Sequence, residues 1–224
     1  MPDQLIFDLP VATAFGRADY FVSEANALAV AQIGDIENWV NGRLILSGPS
    51  GAGKTHLLSI WASDRNAECL GPDDIADWQP KAFARPVAID GLRPGMAQDA
   101  LVLMLNQLKA SGQPVLMTAD ARVSDVGLTL PDLTSRLTAS SHAALSAVDD
   151  VLLQAVFLKQ ASDRQLAMGP DIIDYALARS ERSLETVKNL IAKIDHLSLQ
   201  QKKPVTKRLV GEALAELEKA RRDD

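Results

Sequence analysis

The sequence predicts an α/β protein, a parallel sheet flanked by helices, followed by an all-α bundle at its C-terminal end. Three observations predict it. Apolar runs of strand length alternate with helical patterns as far as about residue 148. A glycine-rich octapeptide sits between the first of these runs and a helical segment. After about residue 149 strand signals give way to four successive helical segments. The strand-length runs are RLILSG (43–48), AECLG (67–71), RPVAID (85–90), QPVLMTAD (113–120) and HAALSAV (142–148). Between most of them lie helical patterns, including 54–62 and 96–109, and in the latter Leu101, Leu105 and Leu108 fall on one helical face. Strands alternating with helices imply a parallel sheet covered on both faces.

The four later segments are DDVLLQAVFLKQASDRQ, GPDIIDYALARS, SLETVKNLIAKIDHLSL and VTKRLVGEALAELEKARR, separated by Gly-Pro, Ser and Lys-Pro punctuation. The expected plan is a tail over residues 1–12, an α/β base over 13–149 and a helical unit over 150–224.

Hydrophobic residues at 47% and charged residues at 23% are those of an ordinary globular protein. A formal net charge of −6 argues against electrostatically driven nucleic-acid binding by the whole molecule, so any DNA contact is expected to be indirect or weak. The basic run QKKPVTKR (201–208) reads as a solvated surface. Cys69 is the one cysteine, which fits a reducing compartment, and the histidines His56, His142 and His196 are too scattered for a zinc site. Neither a signal peptide nor a membrane-length apolar run is apparent, so the expectation is a cytoplasmic protein without a membrane partner.

The octapeptide GPSGAGKT (Gly48 to Thr55) has the spacing G-x-x-x-x-G-K-[ST], between an apolar strand and a helical pattern. In the loop Pro49-Ser50-Gly51-Ala52-Gly53, the backbone N–H groups that follow Pro49 would converge on phosphate oxygens. Lys54 would supply a point charge to the β- and γ-phosphates, Thr55 a hydroxyl to Mg²⁺, and the helix start a partial positive charge. The motif therefore predicts a bound nucleoside phosphate, ADP or ATP. The strand PVAID ends in Asp90, expected on the Mg²⁺ side, and the next position, where many P-loop ATPases carry an acidic residue, is Gly91. Weak or absent intrinsic hydrolysis follows. A further strand, PVLMTAD, carries Thr118 and Asp120 to the end where ligands bind in α/β sheets. Spacing alone leaves Asp120 open between a phosphate sensor and an Asx turn.

Taken together, these pieces resemble the AAA+ module of the replication initiator DnaA and its relatives, over roughly residues 15 to 220. ADYFVSEANALA (18–29) is similar to the initiator's adenine-pocket segment, which implies that Tyr20, Phe21 and Val22 border the base. GKTHL (53–57), His56 included, is similar to the start of its Walker A helix, and LMTAD to its sensor I strand. LPDLTSRL (130–137) is similar to its arginine-finger box, which implies Arg136 as a finger offered in trans; on sequence alone, local pairing with Asp132 at i−4 is an equal reading. ERSLETVKNL (181–190) is similar to its sensor II helix, which implies Arg182 as a group reaching this chain's own nucleotide.

The initiator's C-terminal helix-turn-helix domain and N-terminal helicase-interaction domain have no counterpart in this sequence. In place of the latter stands QLIFDLP, similar to the sliding-clamp-binding peptides of bacterial replication proteins, with Gln4, Leu5, Phe7 and Leu9 as the implied anchors. An extended segment points Leu5, Phe7 and Leu9 the same way. Burying all three is worth roughly 5–9 kcal/mol, close to the cost of ordering the backbone, so one such peptide binds weakly. The alternative is that this tail packs on the base. The combination resembles the Hda-type regulators of the DnaA-related family. That implies two partners, DnaA and the DNA polymerase III sliding clamp, stimulated hydrolysis of initiator-bound ATP, and ADP as the favoured resident nucleotide. Homo-oligomerisation stays open. The competing readings are an autonomous P-loop ATPase or kinase, which Gly91 disfavours, and a helicase-loader-like adaptor, which the acidic balance disfavours.

Overall fold

A computed structural model describes residues 20–23 and 26–223. The tail anchors Gln4, Leu5, Phe7 and Leu9 lie outside the described residues. The chain forms two compact units, divided between Ser146 and Ala147.

In the first unit, the elements in chain order are α1 (Ala27–Gly34), β1 (Arg43–Ser47), α2 (Lys54–Arg65), β2 (Glu68–Leu70), α3 (Pro72–Ala76), β3 (Val87–Leu92), α4 (Gln98–Ala110), β4 (Val115–Ala119), α5 (Pro131–Thr138) and β5 (Ser141–Ala144). The strands make one five-stranded sheet in the order β2-β3-β4-β1-β5, parallel throughout. The expected parallel sheet with helices on both faces is therefore the observed one, and each predicted strand run overlaps one of its strands, β3 running on to Leu92 and β5 starting at Ser141.

Side-chain alternation sorts the sheet residues into two cores. Leu44, Leu46, Ala88, Leu116 and Ala143 face α1 and α2, with Ile33, Leu57, Leu58 and Trp61 packed over them. Ile45, Val87, Ile89, Val115 and Met117 face α4 and α5, which contribute Leu101, Leu105, Leu108, Leu133 and Leu137. The leucine stripe read from the sequence is thus the buried face of α4. Trp39 stacks on Trp61 at 5.6 Å and donates its indole N–H to Gln32 O at 2.8 Å, closing the first core at its edge.

Two segments differ from their sequence reading. β5 stops at Ala144, short of the apolar run that ends at Val148, because its ladder partner β1 ends at Ser47; Leu145 N makes one last bond to Ser47 O at 2.7 Å. α1 has no strong sequence signal. It is held by Ala29, Val30 and Ile33, which are buried against the sheet.

The second unit consists of α6 (Asp150–Asp163), α7 (Pro170–Leu177), α8 (Leu184–Gln201) and α9 (Lys207–Asp223). Its starts are locally encoded: Asp149 caps α6 by accepting from Leu152 N at 2.6 Å, Pro170 opens α7 and Ser183 caps α8. α8 packs on α6 and α9, burying Leu153, Phe157, Val187, Leu190, Ile191 and Val210.

Candidate functional site

The loop between β1 and α2 lies at the carboxyl ends of the strands, where a parallel sheet leaves its ligand crevice. Gly51 and Gly53 adopt φ of 75° and 93°, which lets the loop curl back over the first turn of α2. Lys54 is buried, and its ammonium is held by Gly48 O and Pro49 O, each at 2.8 Å, and by Asp120 Oδ1 at 2.8 Å. Thr55 and His56 are exposed at the helix start. Ala52 is buried within the loop. Gly48 answers to a different constraint, since a Cβ there would lie 2.7 Å from Leu145 O. Its lack of a side chain serves strand packing.

Beside this loop, β3 and β4 join the predicted Asp90 to Thr118 in a polar pair. The buried Thr118 hydroxyl donates to Asp90 Oδ1 at 2.6 Å and accepts the Gly91 N–H at 2.7 Å. A bulge makes this fit: Ile89 pairs with Met117 and Leu92 with Ala119, so β3 carries one extra residue across that step. Gly91 takes φ 95° there, a conformation that side chains resist. The position where other P-loop enzymes carry an acidic residue is, in this chain, shaped for glycine. The sequence signal for Thr118 was its place at the end of an apolar strand; its partner, some 28 residues away, appears only with the sheet register.

Of the strip Tyr20, Phe21 and Val22, Tyr20 meets the first turn of α2 and Val22 packs into the first core. Tyr20 stacks on His56 with ring centroids 5.8 Å apart. Burial pushes the Tyr20 hydroxyl up to about 12, with the Asn26 side chain working in the opposite direction. Asn26 fixes this strip from both sides, accepting Ser23 N–H at 2.9 Å and donating to Phe21 O at 2.9 Å. The structure therefore brings Tyr20, His56, Lys54 and Asp120 to the α2 end of the first unit, with Asp90 alongside on β3.

These residues fit a nucleoside phosphate with a divalent ion. Lys54 and the start of α2 supply positive charge, while Thr55 and Asp90 carry the hard oxygens that Mg²⁺ accepts. Among the described residues no group of three His, Cys, Asp or Glu side chains is arranged to hold a metal by itself. A metal here would be bound in part by phosphate, as Mg²⁺ commonly is.

Arg136 stands elsewhere. It lies near the end of α5, which leads into β5, so it belongs to the amino ends of the strands, opposite the phosphate loop. Its Nε donates to Asp132 Oδ1 at 2.8 Å and its NH1 to Asn106 Oδ1 at 2.9 Å, leaving its side chain 33% exposed. The local i−4 pairing expected as an alternative is therefore present, joined by a contact to α4. In the second unit, Arg182 NH2 donates to both carboxylate oxygens of Asp150, at 2.6 and 2.7 Å. It precedes the helix start, because Ser183 is the cap and α8 begins at Leu184. The segment 181–190 enters α8 at its fourth residue, with Arg182 one position before the cap.

The strand order and the phosphate loop define an AAA+ fold, and known structures agree. The chain is similar to domain III of the Thermotoga maritima replication initiation protein DnaA, with TM-score 0.75 and 18% identity over 88% of this chain and 94% of that one. It is similar to AMPPCP-bound DnaA from Aquifex aeolicus, with TM-score 0.65 and 19% identity over 91% of this chain and 68% of that one. The Thermotoga maritima RuvB Holliday junction branch migration motor also shares the fold, with TM-score 0.61 and 20% identity over 85% of this chain and 66% of that one. An uncharacterized Haemophilus influenzae protein is 26% identical over 174 residues, 71% of this chain and 75% of that protein. Residues 149–214 match the family model for the Hda lid domain. Residues 149–214 are thus similar to the Hda lid domain, and the chain as a whole shares the fold of these DnaA and RuvB structures.

Proposed function

We propose that this protein is a nucleotide-bound negative regulator of replication initiation that presents Arg136 to ATP held by the initiator DnaA. The observation that carries this reading is the position of Arg136. It stands partly exposed at the end of the sheet opposite its own phosphate loop, which supports a role toward a nucleotide on another chain. The guanidinium would neutralise charge developing on the transferring phosphoryl group, an effect worth about 10³ to 10⁵ in rate where arginine fingers act. The Hda lid match and the DnaA-like fold support the choice of partner.

In this reading the chain's own site holds rather than consumes its nucleotide. Lys54 and the loop amides bind ADP or ATP, Tyr20, Phe21, Val22 and His56 border the base, Thr55 and Asp90 hold Mg²⁺, and Asp120 completes the set. Bound Mg²⁺ would supply charge neutralisation at the phosphates. Gly91 has no side chain with which to orient water, which supports slow turnover. No helix among the described residues is long and apolar enough to cross a membrane, which accords with a cytoplasmic place of action. The tail residues Gln4, Leu5, Phe7 and Leu9 would tether the chain to the sliding clamp, and clamp-loaded DNA would raise the local concentration of initiator.

Phosphate release from ATP-loaded DnaA, measured with this protein and DNA-loaded clamp and with each omitted in turn, tests the whole reading. Release should need all of them, and Arg136→Ala should abolish the stimulation while leaving ADP binding intact. Gln4→Ala with Leu5→Ala should remove clamp binding, and with it the stimulation, without lowering thermal stability. Undiminished stimulation by Arg136→Ala, or release by this chain alone, would show the reading to be wrong.

A further inference from the structure

The amino ends of the strands hold a second positive group beside Arg136. Arg43 opens β1, its side chain on the same face as Ile45 and in register with Val115, the face that α4 and α5 cover. It is 5% exposed and, among the described residues, its side chain has neither a hydrogen bond nor an ion pair, its backbone N–H alone donating to Val40 O. A guanidinium keeps its charge when buried and ordinarily finds a carboxylate. Sheet register sets it next to the end of α5: Leu44 pairs with Ser141, and the preceding Ser140, itself buried, donates its hydroxyl to Arg136 O at 2.9 Å. Burial first, and the Arg136 charge second, lower the pKa of Arg43 from the ordinary arginine value. Two guanidinium groups thus repel one another while the inner one lacks a counter-ion.

We propose that Arg43 and Arg136 together form an anion site for the terminal phosphate of a nucleotide held by a second AAA+ chain, with Arg136 as the outer contact and Arg43 the inner one. This rests on the reading of Arg136 as a group offered in trans. The arriving phosphate brings Arg43 the counter-charge that the fold does not provide, and it replaces Asp132 as the partner of Arg136. Asn106 is neutral, so it orients the Arg136 guanidinium without competing for its charge. Neither arginine makes or breaks a covalent bond in this scheme.

Inorganic pyrophosphate is the probe, added at constant ionic strength to a Lys54→Ala chain in which the phosphate loop is weakened. It should raise the melting temperature; adding Arg43→Met should remove that rise, and adding Arg43→Lys should keep it. A rise that survives Arg43→Met, or no rise in the Lys54→Ala chain, overturns the proposal. With Lys54 intact, Arg43→Met should lower phosphate release from ATP-loaded DnaA about tenfold, the scale of one charge-assisted hydrogen bond, at an undiminished melting temperature. Arg43→Lys should restore part of it. Release lost with Arg136→Ala but unchanged by Arg43→Met overturns the role of Arg43 and leaves the trans reading standing. Release indifferent to both variants brings down the trans reading, and this proposal with it.

Discussion

At the carboxyl ends of β1, β3 and β4 the charged groups are matched from within the chain. Lys54 has two carbonyls and Asp120, and Asp90 has the Thr118 hydroxyl. At the amino ends, Arg136 shares a half-exposed pair with Asp132 while Arg43 is buried beside it with no counter-charge among the described residues. One end of the sheet is complete before a ligand arrives. The other retains a surplus of positive charge that an incoming anion would relieve. A preorganised pocket suits a resident ligand, and an unsatisfied one suits a transient partner.

The sharpest way to break this contrast is to disturb the matched end. In Thr118→Val a near-isosteric side chain leaves both the Gly91 N–H and Asp90 Oδ1 without their partner. Each stranded group costs about 1–3 kcal/mol, and the partial exposure of Asp90 softens its share, so the expected loss is about 2–4 kcal/mol. Urea melts measure it. A loss of only a few tenths would mean that the pair is not what organises this end.

Tyr20 gives the next effect, through pH. Its hydroxyl is pushed from an ordinary 10.0 up to about 12, so the folded chain holds that proton more tightly than the unfolded one. The stabilisation is fully present below pH 10 and is lost as pH rises through 12, amounting to about 2–3 kcal/mol. Wild type should lose that much more than Tyr20→Phe between pH 10 and 12, in denaturation midpoints taken along the series. Parallel curves would remove Tyr20 from the buried site.

Gly91 separates geometry from chemistry. Because its φ is 95°, both Gly91→Ala and Gly91→Glu should lose about 1–2 kcal/mol in urea melts. The Glu variant should gain no ATPase activity over wild type. A hydrolytically active Gly91→Glu chain would show that the bulge adapts, and that the missing carboxylate alone keeps turnover slow.

These residues also mark what the sequence made legible. Alternating strand and helix patterns are local, and so the sheet, the leucine face of α4 and the phosphate loop were readable from spacing. The bulge at Gly91 depends on register between β3 and β4, and the Thr118–Asp90 pair spans two strands. Arg43 looks like an ordinary polar start to a strand until α4 and α5 close over its face. Gly48 was read as a phosphate-loop glycine, yet the carbonyl that excludes its Cβ belongs to Leu145, almost a hundred residues later in the chain. Local periodicity carries the elements; the constraints between them come from contacts far apart in sequence.

The smallest effect belongs to the unmatched end. Asp132 and Arg136 form an i,i+4 pair whose side chains are 54% and 33% exposed, in a setting where such pairs contribute under about 1 kcal/mol and fade with salt. Asp132 also lies in the first turn of α5, where a negative charge favours the helix. Asp132→Asn should therefore lose stability at low salt by at most about 1 kcal/mol, and by less as salt rises. The Arg43 charge makes this a sharper test than an ordinary surface pair. With the carboxylate gone, Arg43 and Arg136 face one another with less compensation, and added salt should recover most of the loss. A loss that salt leaves unchanged would mean that Asp132 acts through hydrogen-bond geometry rather than charge, and the electrostatic contrast between the two ends would fail at this residue.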